Sequence, residues 1–147
     1  MSVKSCKQCT EVFEPQARGK RVKIRLQTVP SVTVSGDADR LEQLFSNLLD
    51  NAIKHTPTGE EVSIESHVLA DGYIEVRVSD KGPGIPPEQL PHVFERFYQV
   101  TGVRTGVGLG LAISKEIVLA HGGTIEAKSE PGEGAEFIVR LPAVPVI

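Results

Sequence analysis

The chain predicts an α+β fold in two layers, a mixed sheet with helices packed on one of its faces. Three observations lead there. Segments alternating with period two recur along the chain and come mostly in hairpins. Only two segments carry a long helical stripe. The order is strand, helix, two strands, short helix, helix, two strands, which is not the repeating strand–helix pattern of a doubly wound sheet.

Val22, Ile24 and Leu26 alternate with Lys23 and Arg25, the sign of a half-buried strand. Pro30 ends that region, Val32-Thr33-Val34 is a second short strand, and Ser35-Gly36-Asp37 a turn. In the long helix that follows, Leu41, Leu44, Phe45, Leu48, Leu49, Ala52 and Ile53 form one apolar stripe. Asp39 with Glu42 fits a capping box at its start, and Thr56-Pro57-Thr58-Gly59 stops it.

Val62, Ile64 and Val68 mark one strand and Ile74, Val76 and Val78 the next, joined by the hairpin signal Asp71-Gly72. A Gly- and Pro-rich loop runs from Asp80 to Pro87, and Glu88 to Phe97 reads as one or two helical turns. A second Gly-rich loop, Thr101 to Gly110, opens a helix with Leu109, Ala112, Ile113, Ile117 and Ala120 on one face. His121-Gly122-Gly123 ends that helix with a left-handed glycine cap. Thr124–Lys128 and Glu136–Leu141 are the last strands, turning at 130–134.

With 147 residues the chain is one domain long, and it needs no disulfide or metal to fold. Residues 1–20 read as a lead-in segment and 21–147 as the domain. The formal charge of -3 argues against a nucleic-acid partner. No run approaches the roughly 20 apolar residues of a membrane span, and the start lacks a signal-peptide core. The expected location is the cytoplasm, including the cytoplasmic part of a membrane-anchored receptor. Cys6-x-x-Cys9 has no second pair and no paired histidines after it. It reads as two free thiols in a helical or frayed lead-in.

Asn47 and Asn51 are four residues apart and share a helix face beside the apolar stripe, an edge that Lys54 and His55 extend. Alone, such residues describe a solvated face. Asp80 closes a strand and opens the loop D-x-G-x-G-I, where Gly82 and Gly84 permit close approach of a ligand to backbone. Gly106, Gly108 and Gly110 precede a helix, where backbone N–H groups and the helix dipole face a phosphate. The spacing is neither the dinucleotide fingerprint nor a Walker A loop.

Taken together, these segments resemble the sensor histidine kinases. N-L-L-D-N-A-I-K-H (47–55) is similar to their N box, V-S-D-K-G-P-G-I-P (78–86) to G1, F-E-R-F-Y (94–98) to the F box and G-V-G-L-G-L-A-I (106–113) to G2. The closing stretch 121–137 fits the family's last hairpin, and the likeness covers about residues 20–142. It implies the Bergerat ATP-binding fold, ATP and Mg²⁺ as ligands, and transfer of the γ-phosphate to a histidine. It implies that Asn51 holds Mg²⁺ and that Asn47 and Lys54 contact phosphate or its water shell, these three being the catalytic set. His55 lies near the nucleotide, and Asp80 accepts from the adenine amino group. Gly82, Gly84 and Ile85 lie against the base. Gly106, Gly108, Leu109, Gly110 and Leu111 anchor the lid over the phosphates, and Phe94 and Phe97 pack its base. Arg104 either meets the γ-phosphate or is solvated.

Hydrolytic relatives of the same fold carry a glutamate at the position of Asn47, and serine kinases of the fold a carboxylate. An amide cannot accept a proton at neutral pH, so Asn47 favours transfer over hydrolysis. Three departures stand out. His67, His92 and His121 sit outside any acceptor motif, so the dimerisation and phosphoacceptor domain is a partner, and the response regulator an indirect one. The lid, 99–105, is short. Ala135 replaces a family Ser or Thr. A regulatory module that binds nucleotide or partners without transferring phosphate is the alternative.

Overall fold

The computed structural model describes residues 4–27, 33–34, 36–98, 110–130 and 132–144. Among the described residues three α-helices, α1 (Lys4–Lys20), α2 (Ala38–His55) and α3 (Gly110–Ala120), and a 3-10 turn at Leu90–His92 join six strands. These are β1 (Lys23–Gln27), β2 (Thr33–Val34), β3 (Glu61–Val68), β4 (Tyr73–Ser79), β5 (Thr124–Ser129) and β6 (Ala135–Val144). The sheet runs β1-β3-β4-β6-β2, with β5 also paired to β6. Among the described strands only the β1–β3 pair is parallel. The two-layer α+β sandwich read from the sequence is the observed fold.

Strand pairing makes one face apolar. Ile74 faces Leu141, Val76 faces Val139 and Val78 faces Phe137, all buried. On this face lie α2 and α3, which also pack on each other. All seven residues of the predicted α2 stripe are buried. The stripe predicted for α3 is only partly right. Ala112 and Ile117 are buried, but Ala120 is exposed, and Ser114 and Val118 take the remaining core positions. The reason is placement: α3 sits over β5 and β6 while leaning on α2, so its buried arc is turned toward Ser114 and Val118.

The α2 cap also differs from the capping box. Asp37, not Asp39, is the N-cap, and its carboxylate accepts from the N–H groups of Asp39 and Arg40. With Asp37 in that place, Asp39 falls in the first turn, where its charge meets the helix dipole. At the other end Thr56 is the cap, as the sequence indicates.

Residues 4–20, read as a helical or frayed lead-in, form a helix that packs along α2 with Ala17 fully buried. The backbone of Cys6 and Cys9 lies in its first turns. At its end Lys20 Nζ donates to the carbonyls of Ile53 (2.9 Å) and Lys54 (2.6 Å), the last turn of α2. Arg21, at φ 59°, then turns the chain into β1, with Val22 N–H bonded to Ala17 O. Among the described residues no helix is long and apolar enough to cross a membrane.

The open face of the sheet carries ions. Glu75, 5% exposed, accepts from Arg77 Nε (2.5 Å) and Arg140 Nε (2.9 Å). Arg77 continues to Glu136 and Arg140 to Glu126. The stems of such arginines shield apolar surface, and Ile138, between them on β6, is 1% exposed. Hydrogen bonds from Arg140 and then Arg77 hold the Glu75 carboxyl below its ordinary range. The stabilisation is therefore present above the ordinary glutamate value of 4.5 and is lost as pH falls through the lower folded-state value. We expect Glu75→Gln to cost about 1–2 kcal/mol at neutral pH, since both guanidiniums reach water. Urea melts at pH 7 and pH 3 should show the difference between variant and parent shrinking at the acid end.

Candidate functional site

Two helices and one strand end converge. α2 supplies Asn47, Asn51, Lys54 and His55 from its last three turns. Asn47 Nδ2 donates to the carbonyl of Gly110 (3.4 Å), the first residue of α3, so the N box and the start of the second helix touch. Ser114 Oγ, fully buried, donates to that same carbonyl (2.8 Å). Leu111 is half-buried against the core. Asn51 is half-buried one turn on from Asn47, and no described residue engages its amide. Lys54 Nζ is paired with Asp50 (2.9 Å), which also accepts from Gln16 of α1 (3.2 Å). Arg104, Gly106, Gly108 and Leu109 lie outside the described residues.

Asp80 is the best-held residue of the site. It follows β4 and is 5% exposed. Its Oδ1 accepts from Gly82 N–H (2.9 Å) and Ala135 N–H (3.1 Å), while its own N–H donates to Ala135 O (2.9 Å). Its Oδ2 has no bond to a described residue. Burial pushes the carboxyl up from its ordinary value, and the Gly82 and Ala135 bonds and the neighbouring His55 pull it back. Burial is also the main influence on His55, holding it below the usual imidazole value, with Asp80 opposing. Ala135 keeps its hold on Asp80 without a hydroxyl, because the contact is made by its backbone.

Glycines allow this closeness. A Cβ on Gly82 would lie 2.5 Å from the carbonyl oxygen of His55, so the loop is pressed on the end of α2. Gly84, at φ 81°, has Glu130 O and Ser129 Oγ within 3 Å of where a Cβ would be. Ile85 is buried, with its N–H bonded to Ser129 Oγ (2.7 Å).

The aromatic pair of the F box divides. Phe94 meets Phe137 edge-on, centroids 6.1 Å apart, with Lys115 over its ring. Phe97 does not pack as expected. Its backbone has φ 64° and its side chain is turned outward, 70% exposed. His67 pairs with Glu65 on β3 and His92 with Glu95. His121 ends α3, accepting from Asp37 N–H at Nε2. None of the three stands beside Asn47, Asn51 or Asp80 in these bonds.

This geometry agrees with comparison to known proteins. Residues 36–145 match the family described as histidine kinase-, DNA gyrase B- and HSP90-like ATPase. The chain belongs to that family. Sensor histidine kinase RcsC of Escherichia coli is 48% identical over 116 residues, which is 76% of this chain and 12% of RcsC. Sensor protein SrrB of Staphylococcus aureus is 46% identical over 112 residues, 74% of this chain and 19% of SrrB. The chain thus spans under a fifth of these curated relatives. Among solved structures, mycobacterial sensor histidine kinase MprB superposes with a TM-score of 0.87 at 32% identity, covering 97% of this chain and 96% of that one. Full-length ShkA, crystallised with AMPPNP, gives 0.88 at 33% identity over 99% of this chain and 31% of its own. The family is one of ATPases, and membership of it supports ATP use by this domain.

Sequence reasoning missed three contributors: Thr56, Ser129 and Gly134. Gly134 lies at φ 89°, and a Cβ there would be 2.1 Å from Asp80 O. Gly132, at φ 82°, has open space around it. Gly134→Ala should therefore destabilise by at least about 2 kcal/mol, and Gly132→Ala, with backbone strain only, by about 1 kcal/mol. Thermal denaturation of both variants beside the parent measures the difference.

Proposed function

We propose that this chain is the ATP-binding catalytic half of a sensor histidine kinase. It passes the ATP γ-phosphate to a histidine on a separate dimerisation and phosphoacceptor domain, from which a response regulator takes it. The observation that carries this reading is Asn47. Its Nδ2 is committed as a donor to Gly110 O, and an amide cannot deprotonate water. The hydrolytic relatives have a carboxylate there. Residues 21–147 then form the catalytic domain, in the cytoplasm, and 1–20 are its lead-in segment, of which Lys4–Lys20 is the helix packed on α2.

Phosphoryl transfer is catalysed mainly by position and charge. Asp80 Oδ2 accepts from the adenine amino group, because Oδ1 is already spent on Gly82 and Ala135. Gly82, Gly84 and Ile85 set the surface on which the base lies. The half-buried His55, whose pKa burial lowers, flanks the base. Asn47 ties α2 to Gly110 at the start of α3, and the resemblance assigns Gly106, Gly108, Leu109, Gly110 and Leu111 to the phosphates, with Arg104 either meeting the γ-phosphate or solvated. The exposed Lys54–Asp50 pair is worth at most about 1 kcal/mol, so Lys54 can leave it for phosphate.

Mg²⁺ fits the residues present. It takes oxygen ligands and keeps several waters, and the Asn51 amide, unengaged by any described residue, offers one oxygen on the same face as Asn47. Bound there, the ion would neutralise phosphate charge. Asn51→Ala should remove the Mg²⁺ enhancement of ATP binding and leave adenosine affinity nearly intact. Calorimetric titrations with and without Mg²⁺ decide this, and a variant that responds to Mg²⁺ like the parent overturns the assignment of Asn51.

The 147 residues alone should bind ATP yet neither label themselves nor hydrolyse it appreciably. Mixed with the acceptor helices of its own full-length protein, the chain should label their histidine slowly. Separation removes the millimolar-scale effective concentration of a tethered nucleophile. Incubation with γ-labelled ATP tests this, the product being acid-labile and base-stable. Acid-stable label on the chain itself would indicate a serine-type kinase. ATP binding without label on the helices would indicate a regulatory module.

A further inference from the structure

The loop that follows Asp80 is held by two hydroxyls from distant parts of the chain. At its start Thr56 Oγ1, fully buried, donates to Ala52 O (2.8 Å) inside α2 and accepts from Lys81 N–H (3.3 Å). At its end Ser129 Oγ, the last residue of β5, donates to Gly134 O (2.8 Å) and accepts from Ile85 N–H (2.7 Å). Between them Gly82 N–H goes to Asp80, and Pro83 has no N–H but offers its carbonyl to Gly132 N–H (3.0 Å). Each hydroxyl donates to one carbonyl and accepts one loop N–H, so neither can rotate without losing a partner.

We propose that Thr56 and Ser129 are positioning residues for the base, fixing the 80–85 loop between the end of α2 and the β5–β6 hairpin. This rests on the adenine-binding reading of Asp80. Their bonds set where the Asp80 carboxylate and the Gly82–Ile85 surface stand relative to Asn51. Neither side chain itself touches nucleotide. Removing a hydroxyl leaves a loop N–H unpaired, and the loop then samples shapes that no longer fit the base. That affects base affinity and leaves the phosphate and metal end alone.

Calorimetry with ADP and with adenosine on Thr56→Val, Thr56→Ser, Ser129→Ala and Asp80→Asn separates the possibilities. Thr56→Val and Ser129→Ala should each lose about five- to tenfold affinity for both ligands, the scale of one hydrogen bond. The ratio of ATP affinities with and without Mg²⁺ should stay at the parent value, and Thr56→Ser should restore binding. Ser129 is half exposed, so its alanine variant keeps the test open where the buried Thr56→Val does not fold. Parent-like ADP and adenosine affinity in Ser129→Ala and Thr56→Val overturns the proposal, as does a change in the Mg²⁺ ratio as large as the loss of affinity. Parent-like affinity in Asp80→Asn overturns the adenine reading itself.

Discussion

The Asp80 carboxylate is the constraint from which the site takes its shape. One oxygen gathers N–H groups from the loop behind it and from the start of β6, fifty-five residues on. A buried carboxylate without such partners would be protonated or displaced, since its desolvation is not otherwise offset. With them, one end of the group is fixed and the other is left for a ligand. The closeness of Gly82 to α2 and of Gly134 to Asp80 follows from that arrangement, because any Cβ would force these segments apart.

The helical layer and the sheet divide the remaining work. Burial of the α2 stripe against Ile74, Val76 and Val78 and their partners sets the height of α2 over β4. That height brings the end of α2 to the loop after β4. Lys20 and Thr56 then close the end of α2 from two sides, satisfying the carbonyls that a helix terminus leaves open. The open face is stabilised differently, by alternating charges across β4, β5 and β6 over a shielded isoleucine. A face of that kind stays wetted and does not invite another sheet.

Much of this was legible in the sequence, and the pattern of success is physical. The α2 stripe, the 71–72 hairpin and the Gly122 cap are local: each is specified by residues within a few positions of one another. The box motifs were legible as a resemblance, and they marked Asn47, Asn51 and Asp80. What sequence could not supply was decided across distance. Ser114 and Val118 replaced Ala120 in the α3 core because of where α3 lies on the sheet. The packing of residues 4–20 on α2 was invisible in a mostly polar segment, where Ala17 is buried and Phe13 packs against the core. Thr56 and Ser129 read as helix stop and strand end, and only the folded loop gives them a second task. Phe97 turned outward because of a left-handed backbone, which no aromatic residue announces.

The placement of β6 bears on how the chain is made. This strand pairs with β4, β5 and β2, yet it is supplied by residues 135–144, after every other described strand and helix has been synthesised. The apolar faces of β4 and α2 therefore emerge from the ribosome well before the strand that completes their layer, at roughly 5–20 residues per second. Ala135 is also the residue that anchors Asp80. A nascent chain arrested before that point would hold most of the boxes and still lack the backbone N–H that anchors Asp80. On the proposed reading of Asp80, nucleotide captures only a chain in which β6 has already docked.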